Sequence, residues 1–224
     1  MEFKNAQQLE KAKLEDALIS LLYGRYNGLV FHGGTAIWRC YSGNRFSRDI
    51  DFYLHVPDKD RETLYREISE FLRECGFALK EKGYSRDTNT MHFLVESNTK
   101  MKVDINLGHK KGVPVEYARV DGSKMLVLSL TPEELLKEKI GAYESKMRNE
   151  EGFRQAEVQD LYDIYHLIAL ASKKDPATVR ALGALVESVE KSPPPNVRSL
   201  DHLILSGVTP SLEVMVKRIK EWIA

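Results

Sequence analysis

The sequence predicts an α/β (α+β) protein: a mixed β-sheet lobe over residues 1–128, followed by an all-helical lobe over residues 129–224. Three observations carry this. Residues 29–31 are a short apolar run leading into the pair Gly33-Gly34, and residues 49–54 alternate in polarity, which reads as strand, turn into helix, strand. Five further strand-like runs follow at 77–82, 91–96, 101–107, 115–120 and 125–128. After Ser129 the strand patterns stop, and caps and prolines punctuate a series of helices.

Taken in order, residues 5–23 place Leu9, Leu14, Leu18, Leu21 and Leu22 on or near one face of an amphipathic helix that Gly24 to Gly28 ends. The strand, the diglycine turn and a helical turn or two from Thr35 to Tyr41 come next, then the alternating strand. Pro57 and Asp58 close it, and residues 59–75 form a helix with Leu64, Ile68, Phe71 and Leu72 inward and Gly76 as its stop. Ser97 to Lys100 reads as one hairpin turn and Asp121-Gly122-Ser123 as another. Thr131-Pro132-Glu133-Glu134 is a capping box with proline at the first helical position, launching a helix over 133–147. Helices are expected at 153–172, at 177–191 behind Asp175-Pro176, at 197–205, and from Thr209-Pro210 to the last residue, with Pro193-Pro194-Pro195 as a break.

Composition narrows the function classes. With 42% apolar and 29% charged residues over 224 positions, the chain can bury a sizeable core. No run approaches the roughly 18 apolar residues of a membrane span. Residues 1–5 lack the apolar core of a signal peptide, so a cytoplasmic location away from membranes is expected. Cys40 and Cys75 make neither a disulfide framework nor a zinc motif and read as small core residues. Thirty-three Lys and Arg balance 33 Asp and Glu, so bulk charge announces no nucleic-acid binder and leaves only a local basic groove open.

The chemistry concentrates between His32 and Leu54. Two glycines let the backbone turn sharply and leave its N–H groups unobstructed. The helix that begins there presents free N–H groups and the positive end of its dipole, a cradle for phosphate built from Gly33, Gly34 and Thr35. In Asp49-Ile50-Asp51 the period of two sets both carboxylates on one face. At about 4 Å and an effective dielectric of about 20 they repel by about 4 kcal/mol. A divalent cation removes that penalty, and paired carboxylates with phosphate oxygens are a common way to hold Mg²⁺.

Gly33-Gly34-Thr35, a short helix, then Asp49-Ile50-Asp51 resembles the signature of the DNA polymerase β-like nucleotidyltransferase superfamily. Within it the sequence is most similar to the AbiEii/AbiGii-type toxins, which include the MenT tRNA-modifying toxins. The resemblance runs from about Leu29 to Leu167 and implies a nucleotidyltransferase-like sheet lobe, Mg²⁺ as cofactor and a nucleoside triphosphate (NTP) as substrate. A nucleoside monophosphate would pass to an acceptor hydroxyl, the tRNA 3′ end in some members, and a cognate antitoxin would oppose the toxin.

The same resemblance implies a third carboxylate. In 101–107, Val103, Ile105 and Leu107 face one way and Lys102, Asp104 and Asn106 the other. Asp104 is either a solvent-facing position on a one-sided sheet or the third acid, ligating metal or acting as base toward the acceptor. In the helical half, the segments around Lys139 and around Asp160 resemble the family's later motifs, which makes Lys139 the triphosphate-contacting lysine and Asp160 its acidic partner, with Asp163 on the same helix face. An ordinary interhelical ion pair is the alternative. The family's arginine before that first acid is Gln159 here, and the nearest arginine along the chain is Arg154.

Arg45 and Arg48 flank the acidic pair, placed either to bind nucleotide or to face solvent. Lys100, Lys102, His109, Lys110 and Lys111 form either a solvated face or a track for a nucleic-acid backbone. His32 reads as a strand-end residue, and His109 and His166 take no assigned role. Two rival functions stand beside tRNA modification: transfer to a protein or small-molecule hydroxyl, and a nucleotide-binding regulatory module that no longer transfers.

Overall fold

A computed structural model describes residues 2–56, 60–148, 154–194 and 196–224. The chain divides into two compact units, one of residues 1–40 and 47–130, the other of residues 41–46 and 131–224.

The first unit begins with α1 (Ala6–Arg25), whose N-cap Asn5 accepts from the backbone N–H of Gln8. It continues with β1 (Leu29–His32), α2 (Gly33–Cys40), β2 (Asp49–Leu54), α3 (Arg61–Glu74), β3 (Ala78–Ser85), β4 (Thr90–Glu96), β5 (Lys100–Asn106), β6 (Val113–Ala118) and β7 (Lys124–Ser129). Among the described residues the strands form one seven-stranded sheet in the order β3-β4-β5-β2-β1-β7-β6. The pairs β2–β5 and β1–β7 are parallel and the others antiparallel, so the sheet is mixed as predicted.

Alternation decides what each face does. Ile50, Phe52 and Leu54 of β2, Met101, Val103 and Ile105 of β5, and Met91, Phe93 and Val95 of β4 are buried in one apolar cluster. That cluster includes Leu18, Ile19 and Leu22 of α1 and Leu64, Ile68 and Leu72 of α3. The intervening residues, Asp49 and Asp51, Lys102 and Asp104, and His92, stay at least partly accessible. Burying one face thus leaves the polar residues of three strands together on the other.

A buried polar knot fixes α2. Arg39 is ion-paired to Asp16 of α1 and donates from Nε to the Tyr117 hydroxyl at 3.0 Å. Tyr117 in turn donates to Asp16 Oδ1 at 2.8 Å, and the Val120 N–H to Oδ2 at 2.8 Å. With α1, α2 and β6 tied at one point, the diglycine start of α2 has a fixed position. Asp60 caps α3, whose predicted beginning at Lys59 lies outside the described residues, as do Pro57 and Asp58. Gly76, at φ +88°, ends it.

The second unit contains α4 (Pro132–Arg148), α5 (Arg154–Leu167), α6 (Pro176–Lys191), a 3₁₀ turn (Val197–Leu200) and α7 (Leu212–Ile223). The capping box forms: the Glu134 N–H donates to Thr131 Oγ1 at 3.3 Å and the Thr131 N–H to Glu134 Oε2 at 3.1 Å. Two predicted helices are shorter than expected. α5 stops at Leu167 because the N–H and hydroxyl of Ser172 both donate to Glu133 Oε1, drawing the chain out of the helix. The helix predicted at 197–205 is a single 3₁₀ turn, since Ile204 instead forms a β-bridge with Arg45. The Phe46 N–H donates to Leu203 O at 2.8 Å and the Leu205 N–H to Asn44 O at 2.9 Å, so residues 41–46 are stitched to this unit. Pro195, part of the predicted break, lies outside the described residues.

Candidate active site

In the first unit, strand register aligns the accessible residues into a row. His32 of β1 pairs with Asp51 of β2, Asp51 with Asp104 of β5, and Asp104 with His92 of β4. Asp49 stands two residues before Asp51, opposite Lys102. Asp49, Asp51 and Asp104 therefore share one face across adjacent strands. His92 escaped the sequence reading: one partly apolar strand gives no sign of what stands beside it.

Both oxygens of Asp104 are engaged. His92 Nδ1 lies 2.9 Å from Oδ1 and Lys102 Nζ 2.7 Å from Oδ2. Asp51 lies against the diglycine: a Cβ built on Gly33 would collide with the Asp51 carboxylate, and Gly33 has φ +75°. Only glycine allows both that backbone and that approach. Thr35 is fully buried and donates its hydroxyl to the Asp49 carbonyl at 2.5 Å, so its side chain pins the start of β2. Arg48 and Asp49 are exposed. Lys11 of α1 was not anticipated; burial lowers its pKa while the Asp49 and Glu15 charges work the other way.

Three carboxylates on one face suit a hard divalent cation, which takes oxygen ligands. Among the described residues, no three His, Cys, Asp or Glu side chains are gathered closely enough to hold a metal ion as they stand. Asp104 is turned to its two nitrogen partners instead.

The second unit holds a separate ionic cluster. Lys139 of α4 reaches Asp160 Oδ1 at 3.1 Å and Asp163 Oδ2 at 2.8 Å, both on α5. Lys146 pairs with Asp160 Oδ2. Arg45 grips Asp163 through two nitrogens and donates from Nη1 to Gln159 Oε1 at 3.2 Å. Burial acts to raise the Asp163 pKa, but Arg45 and Lys139 outweigh it and hold the carboxyl at about 2. Burial likewise opposes the charge on Lys139, and Asp163 and Asp160 reverse that effect, so its pKa is raised. The arginine missing before Asp160 thus has a counterpart in Arg45, which contacts Gln159 and the second acid. The side chain of Arg154 lies outside the described residues.

The sequence over residues 22–213 matches the family model described as the nucleotidyl transferase AbiEii toxin of type IV toxin–antitoxin systems. The chain belongs to the AbiEii family. It is accordingly a nucleotidyltransferase, with a nucleoside triphosphate as substrate, a divalent metal of the kind such enzymes generally use, and an antitoxin as the partner its family implies. Solved structures that share its fold include the following two. JHP933 from Helicobacter pylori aligns with TM-score 0.65 and 18% identity, covering 98% of this chain and 91% of that one. MenT4, a nucleotidyltransferase toxin from Mycobacterium tuberculosis H37Rv, aligns with TM-score 0.64 and 19% identity, covering 97% of this chain and 83% of that one. No curated protein matches the sequence at a significant level. Among the described residues, no helix of this AbiEii chain is long and apolar enough to cross a membrane.

Proposed function

We propose that this AbiEii chain transfers a nucleoside monophosphate from an NTP to the 3′ end of tRNA, with Mg²⁺ as the cation, in the cytoplasm where those substrates occur. The observation that carries the reading is the row Asp51–Asp104 with Asp49 beside it, set against a diglycine that Asp51 nearly touches.

Asp49, Asp51 and Asp104 would hold Mg²⁺, which supplies charge neutralisation for the phosphates. Phosphoryl-type transfer depends mainly on positioning and on such neutralisation. Gly33, Gly34 and the backbone of Thr35 present N–H groups to the triphosphate, and Arg48 adds an exposed positive charge beside Asp49. As a ligand of that cation, with His92 fixing its carboxylate, Asp104 would help activate the acceptor hydroxyl for attack. In the second unit, among the described residues, Arg45, Lys139 and Lys146 pair with Asp160 and Asp163. Lys139 serves the triphosphate as a point charge, with Asp160 and Asp163 keeping the lysine protonated and aimed. Lys100, His109, Lys110 and Lys111 provide a basic track for the acceptor strand, while Lys102 is engaged with Asp104.

The test supplies each α-labelled NTP with Mg²⁺ and total tRNA to the native chain and to Asp51→Asn. Label on tRNA that drops about a thousandfold in the variant is expected, a loss of several kcal/mol of charge stabilisation. Transfer to protein, or to a small-molecule hydroxyl, with tRNA unlabelled would replace the acceptor. Metal-dependent nucleotide binding without transfer would leave only a regulatory module.

A further inference from the structure

The acidic face carries a cation of its own. Lys102 follows the same two-residue period as Asp104 on β5, so its side chain emerges on the accessible face. Register sets it opposite Asp49, one step along from the row of Asp51 and Asp104. Its Nζ lies 2.7 Å from Asp104 Oδ2. The ammonium therefore lies on the face that carries all three carboxylates and contacts Asp104. His92 meanwhile occupies Oδ1 of Asp104, which leaves neither oxygen without a partner.

We infer that Lys102 is the resident counter-ion of this face and that a divalent cation is held there only by displacing the Lys102 ammonium from Asp104. The inference rests on reading the three carboxylates as metal ligands. Its physical basis is competition: the ammonium occupies a lone pair of Asp104 Oδ2, and an ammonium and a divalent cation on one carboxylate repel at that range. Metal binding and lysine release are then one exchange. The lysine lowers the apparent metal affinity and prevents the carboxylates from repelling one another while metal is absent. Its side chain is 49% exposed, so a rotation into solvent is open to it.

The experiment titrates Mn²⁺ onto the full chain without nucleotide, counting free ion by electron paramagnetic resonance. Lys102→Met should bind Mn²⁺ about twofold to fivefold more tightly than the native chain, the range expected for loss of one partly exposed charge. Lys102→Arg, which keeps a cation there, should not gain affinity. Without metal, Lys102→Met should melt below the native chain, and the gap should close as Mn²⁺ is added. Asp51→Asn separates the two ways of failing. If the native chain binds Mn²⁺ and Asp51→Asn does not, yet Lys102→Met binds no tighter, the exchange is wrong and the carboxylate reading stands. If all bind equally poorly, the carboxylate reading falls and takes the exchange with it.

Discussion

Arg45 meets Asp163 as a fork on a carboxylate, Nε to Oδ1 at 2.8 Å and Nη2 to Oδ2 at 2.7 Å, with both side chains buried. The two residues are 118 positions apart, and their pairing fixes residues 41–46 to α5. Breaking a buried pair from one side leaves a charge without compensation. Arg45→Leu should therefore cost about 3–5 kcal/mol in denaturant unfolding. Arg45→Lys should recover only part of that, because an ammonium cannot make both bonds of the fork.

The same carboxyl gives acid sensitivity with a defined sign. Asp163 has its pKa lowered from 3.8 to about 2 in the folded chain. A lowered carboxyl pKa stabilises the fold above the unfolded value, and that contribution is lost as pH falls through the folded one. Unfolding measured between pH 5 and pH 2 should show a loss of about 2 kcal/mol from this group below about pH 4. Asp163→Asn should be less stable at neutral pH and lack that part of the acid slope.

Glu15 behaves in the opposite sense. It is fully buried on α1, neither carboxyl oxygen has a hydrogen-bond partner, and burial raises its pKa well above the ordinary 4.5. The unfolded chain releases this proton first, so stability declines as pH rises above about 4.5. Glu15→Met, similar in volume, should be more stable by about 1–3 kcal/mol at neutral pH. Thermal melts at pH 5 and pH 8 should show the larger gain at pH 8.

At the diglycine, Gly33→Ala combines a strained φ of +75° with a Cβ driven into the Asp51 carboxylate. Displacing that carboxylate by even about 1 Å should lower transfer about a hundredfold. The control is Gly24→Ala at the end of α1, where an added Cβ meets nothing within 4 Å. Its activity should equal the native chain's in the same labelled-NTP assay.

His92 Nδ1 lies 2.9 Å from Asp104 Oδ1, so under the proposed function it positions that carboxylate and its effect should appear in turnover. His92→Ala should lower kcat about tenfold or more with little change in KM for the NTP. His92→Asn, whose amide nitrogen sits where Nδ1 does, should restore most of it. A mere loss of packing would leave both variants alike.

What the sequence made legible was local. Apolar spacing around Gly33-Gly34 and Asp49-Ile50-Asp51 located β1, α2 and β2, and Thr131 with Glu134 located the start of α4, because each pattern is short and its partners are neighbours in the chain. Helix ends set by remote contacts were not legible: Glu133 draws Ser172 out of α5, and Arg45 turns Ile204 from helix to bridge. The same limit hid His92, which meets Asp104 only through strand pairing, and Arg45 as partner of Asp163. Gln159 looked like a gap in a motif when read along the chain; in space an arginine from far upstream reaches it.

The passage of residues 41–46 into the second unit bears on synthesis and on dissection of the gene. A ribosome makes Arg45 long before Asp163 emerges, so this unit completes its ionic cluster only after most of α5 has been translated. A fragment cut at the sheet–helix junction, beginning at Thr131, would carry Asp160 and Asp163 without Arg45 and without the strand segment that Leu203 and Leu205 bond. The helical half is thus discontinuous in the gene, and swapping or truncating it as one contiguous block would leave behind six residues that belong to it.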